Sequence, residues 1–228
     1  MVSCEHGGDA IPKEWQGLFG NEHDTIIRSQ HCEFGAQWLF DSIAPRVADY
    51  SDSSKVSRLL IDLDGSISNG TALTEYSQSL PAQKAGQIIR DYYLPYWMGF
   101  EDTAEQWTRQ GKRILAIGIH TFEPVVGNVP VGTDICLTFD HSNNEERSFA
   151  LRLKRAFDKY APWLRVRFNA PFKVKHDGFI QHLRDIYQHN ILAIEIFTGQ
   201  NVIFPRGVQT IADVIADVTP KWVADTQQ

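Results

Sequence analysis

The chain has few cysteines: Cys4, Cys32 and Cys136 are all it holds in 228 residues. An odd, sparse set with no Cys-x-x-Cys spacing is not a disulfide framework, so these residues read as small buried side chains in a reducing compartment. No apolar run approaches the roughly 20 residues needed to span a bilayer, so no membrane association is expected. The opening Met1-Val2-Ser3-Cys4-Glu5-His6 lacks both a charged leader region and an apolar one, which points to a cytoplasmic protein. Basic clusters are missing as well. With 22 basic against 28 acidic residues and a net charge of -6, nucleic acid is not an expected partner. There is no Pro/Gly/Ser-rich linker and no internal repeat. The expectation is therefore one domain over residues 1–228, and 43% hydrophobic and 11% aromatic content supplies its core.

What is present is an alternation of buried-type strands and helices. Val2–Cys4 starts a strand that runs into a turn at His6-Gly7-Gly8-Asp9. From about His31 to Val47, Phe34, Ala36, Trp38, Leu39 and Ile43 recur at helical spacing. The apolar run from Lys55 to Leu63 suits a buried strand. Pro81 to Gly111 reads as a long helix with an interruption near Pro95. Ile114–Ile119, Asp134–Phe139 and Ile191–Phe197 read as further strands, and Leu164–Phe168 as an edge strand. Ser148–Tyr160, Asp177–His189 and Thr210–Val223 read as helices, with Asp177 the N-cap of its helix. This order implies an α/β fold, a mostly parallel central sheet with helices on both faces. Ligands in such folds bind beyond the carboxyl ends of the strands.

Polar residues stand at those places. His6 follows the first strand, Asp62 and Asp64 end the second, and His120 ends the third. Glu195 lies inside the last strand between Ile194 and Ile196, where an unpaired carboxylate is costly to bury. Two histidines and one carboxylate form a frequent ligand set for a catalytic zinc, and a second carboxylate can act as base on its water. His6 and His120 are the nitrogen candidates and Glu195 the base. The oxygen ligand is open at this level: Asp9 gives a local His-x-x-Asp spacing, and Glu33 starts the first helix. Each residue also has a plainer reading. A strand-end histidine is more often a hydrogen-bonded structural residue, and Asp9 a turn residue. Glu195, flanked by isoleucines, is the hardest of them to explain in a plain way. His23, His31, His141, His176, His182 and His189 have no similar placement.

The phrases Cys4-Glu5-His6-Gly7-Gly8, Ser57-Arg58-Leu59-Leu60-Ile61-Asp62-Leu63, Ile119-His120-Thr121-Phe122-Glu123-Pro124 and Ala193-Ile194-Glu195-Ile196 resemble the N-formylglutamate amidohydrolase family, in its order. Arg90-Asp91-Tyr92-Tyr93-Leu94-Pro95-Tyr96 and Asn169-Ala170-Pro171-Phe172 fit between them. The resemblance covers nearly the whole chain. It implies a three-layer α/β/α fold of the zinc-exopeptidase (phosphorylase/hydrolase-like) type and hydrolysis of the amide of a small N-acyl amino acid. It further implies one zinc ion per chain held by His6 and His120, with Glu195 as base. The family carries an acid before a Gly-Ala pair, matched here by Glu33-Phe34-Gly35-Ala36, so the resemblance favours Glu33 over Asp9 as third ligand.

There is one departure. Where the family shows Asp-Leu-Asn-Arg, this chain has Asp62-Leu63-Asp64-Gly65. An arginine there would suit bidentate binding of a carboxylate, which glycine cannot provide and Asp64 would oppose. Arg58, Asp62 and Asp64 are then expected to shape substrate binding, for a substrate less negative at that position than formylglutamate. The alternatives are a metallocarboxypeptidase or other deacylase on the same scaffold, and a binding protein that has lost catalysis. The ligand set also tolerates iron, manganese or cobalt.

Overall fold

Two strands carry the middle of the molecule. In the computed structural model, which describes residues 1–22, 33–175 and 177–226, β3 (Ile114–Phe122) and β8 (Ile191–Gly199) pair in parallel along their full lengths, from Ile114 opposite Ile191 to Phe122 opposite Gly199. Both read as near-continuous apolar runs because both faces of the sheet are covered by helices.

The elements follow in chain order as β1 (Val2–Cys4), a 3-10 stretch (Lys13–Glu22), α1 (Ala36–Val47), β2 (Ser51–Ser53), α2 (Glu75–Gln78) and α3 (Ala82–Ile88). A π-helical turn over Ile89–Tyr93 joins α3 to α4 (Leu94–Arg109). After β3 come a small hairpin of β4 (Val125–Val126) and β5 (Val129–Pro130), then β6 (Ile135–Thr138), α5 (Asn144–Tyr160), β7 (Val166–Phe168), α6 (Phe179–Tyr187), β8 and α7 (Pro205–Thr226). The main sheet has the order β2-β1-β3-β8-β6-β7. Four strands are mutually parallel, and β6 and β7 run the other way, since β6 pairs antiparallel to β8 and parallel to β7.

Strand alternation sorts the two faces. Ile117 and Ile119 of β3 and Leu192, Ile194 and Ile196 of β8 pack with Leu39 and Ile43 of α1, Phe149 and Leu153 of α5, and Ile211 and Ile215 of α7. Ile114 and Ala116 of β3 and Ile191 and Ala193 of β8 point the other way, into a core made by Tyr96, Trp97 and Phe100 of α4 and Phe179, Ile180 and Leu183 of α6. The result is the expected three-layer α/β/α arrangement around a mostly parallel sheet.

The chain leaves β1, makes α1 and adds β2 on one side, and later returns to add β3 on the other. The crevice between β1 and β3 is thus a switch point, where parallel α/β sheets bind ligands. Among the described residues, no helix is long and apolar enough to cross a membrane.

Three expectations need correction. Lys55–Leu63 is not a strand. Leu60 and Ile61 donate back to the Ser57 carbonyl, and only single bridges, Val56 to Ala10 and Ile61 to Leu73, resemble sheet pairing. Val56, Leu60, Ile61 and Leu63 are nonetheless buried, in the α4 and α6 core. Burial made the run apolar, and a short apolar run does not distinguish a strand from a packed turn. The second strand is the adjacent, polar Ser51–Ser53. The helix expected from His31 begins at Ala36, and Phe34 and Trp38 lie on the exposed side; His31 and Cys32 fall outside the described residues. Asp177 does not cap α6. Gly178 is the N-cap residue, and the carboxylate of distant Asp64 accepts the Phe179 N–H instead.

Candidate metal centre

His6 sits in the turn after β1, and His120 lies near the carboxyl end of β3, on the same face as Ala116. Their rings approach edge to face with centroids 5.8 Å apart, and both are buried. Glu33 reaches between them from the segment before α1. Its Oε1 lies 2.9 Å from Nδ1 of His6, and its carboxylate lies 3.3 Å from Nδ1 of His120. The Thr121 backbone N–H donates to Oε2 at 2.7 Å, and the Thr121 hydroxyl holds the neighbouring Phe34 carbonyl. This placement needs Gly35, whose φ is +82° and where a Cβ would come within 2.2 Å of Ile203. The glycine of the Gly-Ala pair is therefore a backbone requirement of the segment that carries Glu33.

His6, Glu33 and His120 each offer a donor atom within 4.8 Å of the others, a group that could hold a metal ion. Two imidazoles and one carboxylate are a donor set that suits zinc and leaves a position for water. Asp9 is exposed and not in the group. Among the described residues, His182 pairs instead with Glu101; His23, His31 and His176 lie outside them.

The remaining expected residues surround this core in three different ways. Glu195 is buried in β8. Its Oε1 lies 3.5 Å from Nε2 of His120, and its Oε2 accepts the Thr138 hydroxyl at 2.9 Å. Phe197, two residues on, stacks on His120 at 4.5 Å. Asp62 stands behind His6: its Oδ1 accepts from Nε2 at 2.7 Å, and its Oδ2 takes Arg58 at 3.1 Å. Asp64 is buried, with one oxygen on the Phe179 N–H and the other on the Lys175 ammonium. The Asp62–Asp64 turn is held from behind by α4, where Trp97 donates to the Leu63 carbonyl at 2.8 Å and Tyr93 to the Gly65 carbonyl at 2.9 Å. Arg58 is the one expected substrate residue with a substantially exposed side chain, at 40%.

The electrostatics follow from crowding. Burial acts to lower the pKa of both histidines, but the facing carboxylates outweigh it. Glu33 and Asp62 push His6 up to about 9, and Glu33, Glu195 and Glu5 raise His120 well above the usual range. Burial opposes ionisation of Glu33, yet His120 and His6 hold it well below the usual carboxylate range. Glu195 is lowered by His120 and Thr138 against burial. Lys175 is raised, Asp64 outweighing its burial. With Glu5 counted, five carboxylates gather around the two histidines, and among the described residues the permanent cations paired with them are Arg58 and Lys175. A divalent cation would balance that excess.

Sequence reasoning overlooked Glu5 and Lys175. Glu5 stands between Cys4 and His6 just after β1, without the apolar flanks that marked Glu195, so its burial left only a weak signal. Lys175 sits in a loop without pattern and carried no signal.

The sequence profile of N-formylglutamate amidohydrolase matches residues 1–203. The chain belongs to the N-formylglutamate amidohydrolase family. Family membership supports hydrolysis of an amide bond. No protein of curated function matches the sequence. The fold is similar to that of a gene product from Agrobacterium tumefaciens, with a TM-score of 0.81, 17% sequence identity, and coverage of 100% of this chain and 91% of that one. It is also similar to N-formylglutamate amidohydrolase from Ralstonia eutropha JMP134, with a TM-score of 0.71, 15% identity, and coverage of 99% and 93%. At these identities the likeness speaks to the fold alone, and it agrees with the α/β/α layering described above.

Proposed function

We propose that the chain is a metal-dependent amidohydrolase acting on a small N-acyl amino acid, with His6, Glu33 and His120 holding one zinc ion and Glu195 serving as general base. The observation that carries this reading is the convergence of the three donors within 4.8 Å from segments far apart in sequence. A zinc ion bound there supplies a water of lowered pKa and polarises the substrate carbonyl.

The protein's own groups account for the rest. Glu195 takes a proton from the attacking water and delivers it to the departing amine nitrogen. One carbon–oxygen bond forms, the amide carbon–nitrogen bond breaks, and the products are a carboxylic acid and a free amino acid. Arg58 and Lys175, each tethered to an aspartate of the 62–64 turn, are the cations that flank the site among the described residues. Asp62 orients His6, and Asp64 holds the turn and α6 in place, so both shape the pocket from behind.

The test is metal content by elemental mass spectrometry of protein purified without chelator, with hydrolysis of N-formyl and other N-acyl amino acids assayed in parallel. About one zinc per chain together with release of free amine supports the reading. Metal-free protein that remains inactive after zinc is added back overturns it.

A further inference from the structure

Glu5 is enclosed at the centre and takes no part in the chemistry above. It lies between Cys4 of β1 and the ligand candidate His6, and its side chain has no exposure at all. It therefore contacts neither substrate nor bulk water. Its Oε1 accepts the Tyr96 hydroxyl at 3.1 Å, and the Tyr96 oxygen in turn accepts the Cys4 N–H at 3.2 Å. Among the described residues its Oε2 has no hydrogen-bond partner, and neither does Nε2 of His120. These two atoms face each other at 3.6 Å.

A buried carboxylate with an unused oxygen is costly, and so is a buried imidazole nitrogen without a partner. The two costs cancel if the atoms serve each other. The other half of the centre already shows the pattern. His6 gives Nε2 to a carboxylate, Asp62, and turns Nδ1 to Glu33. His120 also turns Nδ1 to Glu33, and the group behind its Nε2 is Glu5. Glu195 presents its Oε1 to the same nitrogen at 3.5 Å, with Thr138 on its other oxygen, so two carboxylates face Nε2; Glu5 is the one the proposed chemistry leaves unused.

We propose that Glu5 is a positioning residue for His120: it accepts the Nε2–H, fixes the tautomer and presents Nδ1 as a metal donor, with Tyr96 pinning the carboxylate. The proposal rests on the metal reading of the site. It leaves Glu195 free for proton transfer, and it gives each histidine its own supporting carboxylate, Asp62 for His6 and Glu5 for His120. Supporting partners of this kind set ligand basicity and ring orientation.

The test compares zinc dissociation constants, by chelator competition at one fixed pH, for the wild type, Glu5→Gln and Tyr96→Phe. The visible absorption of the cobalt-loaded proteins is recorded alongside. Glu5→Gln is expected to bind zinc about 10- to 100-fold more weakly and to shift the cobalt bands. Tyr96→Phe is expected to weaken binding by a smaller factor, about threefold or more. A folded Glu5→Gln with wild-type zinc affinity and an unchanged cobalt spectrum overturns the proposal. If Glu5→Gln does not fold, Tyr96→Phe decides, and wild-type affinity in that variant overturns it. A wild type that takes up neither zinc nor cobalt overturns the metal reading and this proposal together, an outcome distinct from tight wild-type binding that Glu5→Gln leaves unaltered.

Discussion

Nε2 of His6 donates to Oδ1 of Asp62 at 2.7 Å, so the ring's other nitrogen is the one turned toward Glu33 and His120. On the proposed metal reading, Asp62 would act on the ligand and not on the substrate. Replacing Asp62 by alanine is expected to weaken zinc binding about 10- to 100-fold, measured by chelator competition. A variant with unchanged zinc affinity and only a raised KM would return Asp62 to the substrate.

Removing a ligand has a larger effect. His120→Ala and His6→Ala should each lose stoichiometric zinc, since two remaining protein donors do not complete a zinc site. Elemental analysis after dialysis is the measurement. Full metal content in either variant would contradict the ligand assignment.

Glu195 separates chemistry from metal binding. Glu195→Gln preserves shape and the Thr138 contact but cannot accept a proton. It should keep its zinc and lose about a hundredfold to ten-thousandfold in kcat, the usual range for a positioned acid–base group. Equal loss of zinc would show that Glu195 supports His120 instead.

Asp64 makes a different prediction. It caps α6 through the Phe179 N–H and pairs with Lys175. Asp64→Ala should cost roughly 1–3 kcal/mol of stability in denaturant melts, as a lost cap and a stranded cation imply. A stability equal to the wild type would leave the buried carboxylate without this structural role.

Far from the site, Asp134 ties β6 to β7 by accepting from the Arg165 N–H and guanidinium, and it also takes the Asn201 amide. The Arg165 hydrogen bonds lower its pKa to about 2. A depressed folded-state value means the stabilisation is present above the unfolded value of about 3.9 and disappears as pH falls through about 2. Asp134→Asn should therefore be less stable than the wild type at pH 7, by no more than about 1–2 kcal/mol given solvent screening at Arg165. The gap should close in acid. Parallel denaturation curves at pH 7 and near pH 2 check this, and a gap independent of pH would refute it.

The sheet was legible because buried parallel strands announce themselves: β3 and β8 are continuous apolar runs interrupted by His120 and Glu195. Those interruptions were the strongest functional signal, since period-two alternation puts both on the α4 and α6 face. The turn carrying Asp62 and Asp64 was misread because its apolar residues are buried without being extended. Partners were illegible for a different reason. Glu33 meets His120 across 87 positions and Asp64 meets Lys175 across 111, and no local pattern encodes such meetings. The family resemblance, and not spacing, selected Glu33 over Asp9.

The π-helical turn at Ile89–Tyr93 fits one extra residue into the rod that becomes α4. An added residue rotates everything downstream by about 100°. Tyr93, Tyr96 and Trp97, which hold Gly65, Glu5 and Leu63, all lie at or beyond that point. The angular phase of the site's rear wall is therefore dialled by a single insertion. Deleting one residue there would swing three anchoring side chains away together while leaving every one of them in the sequence.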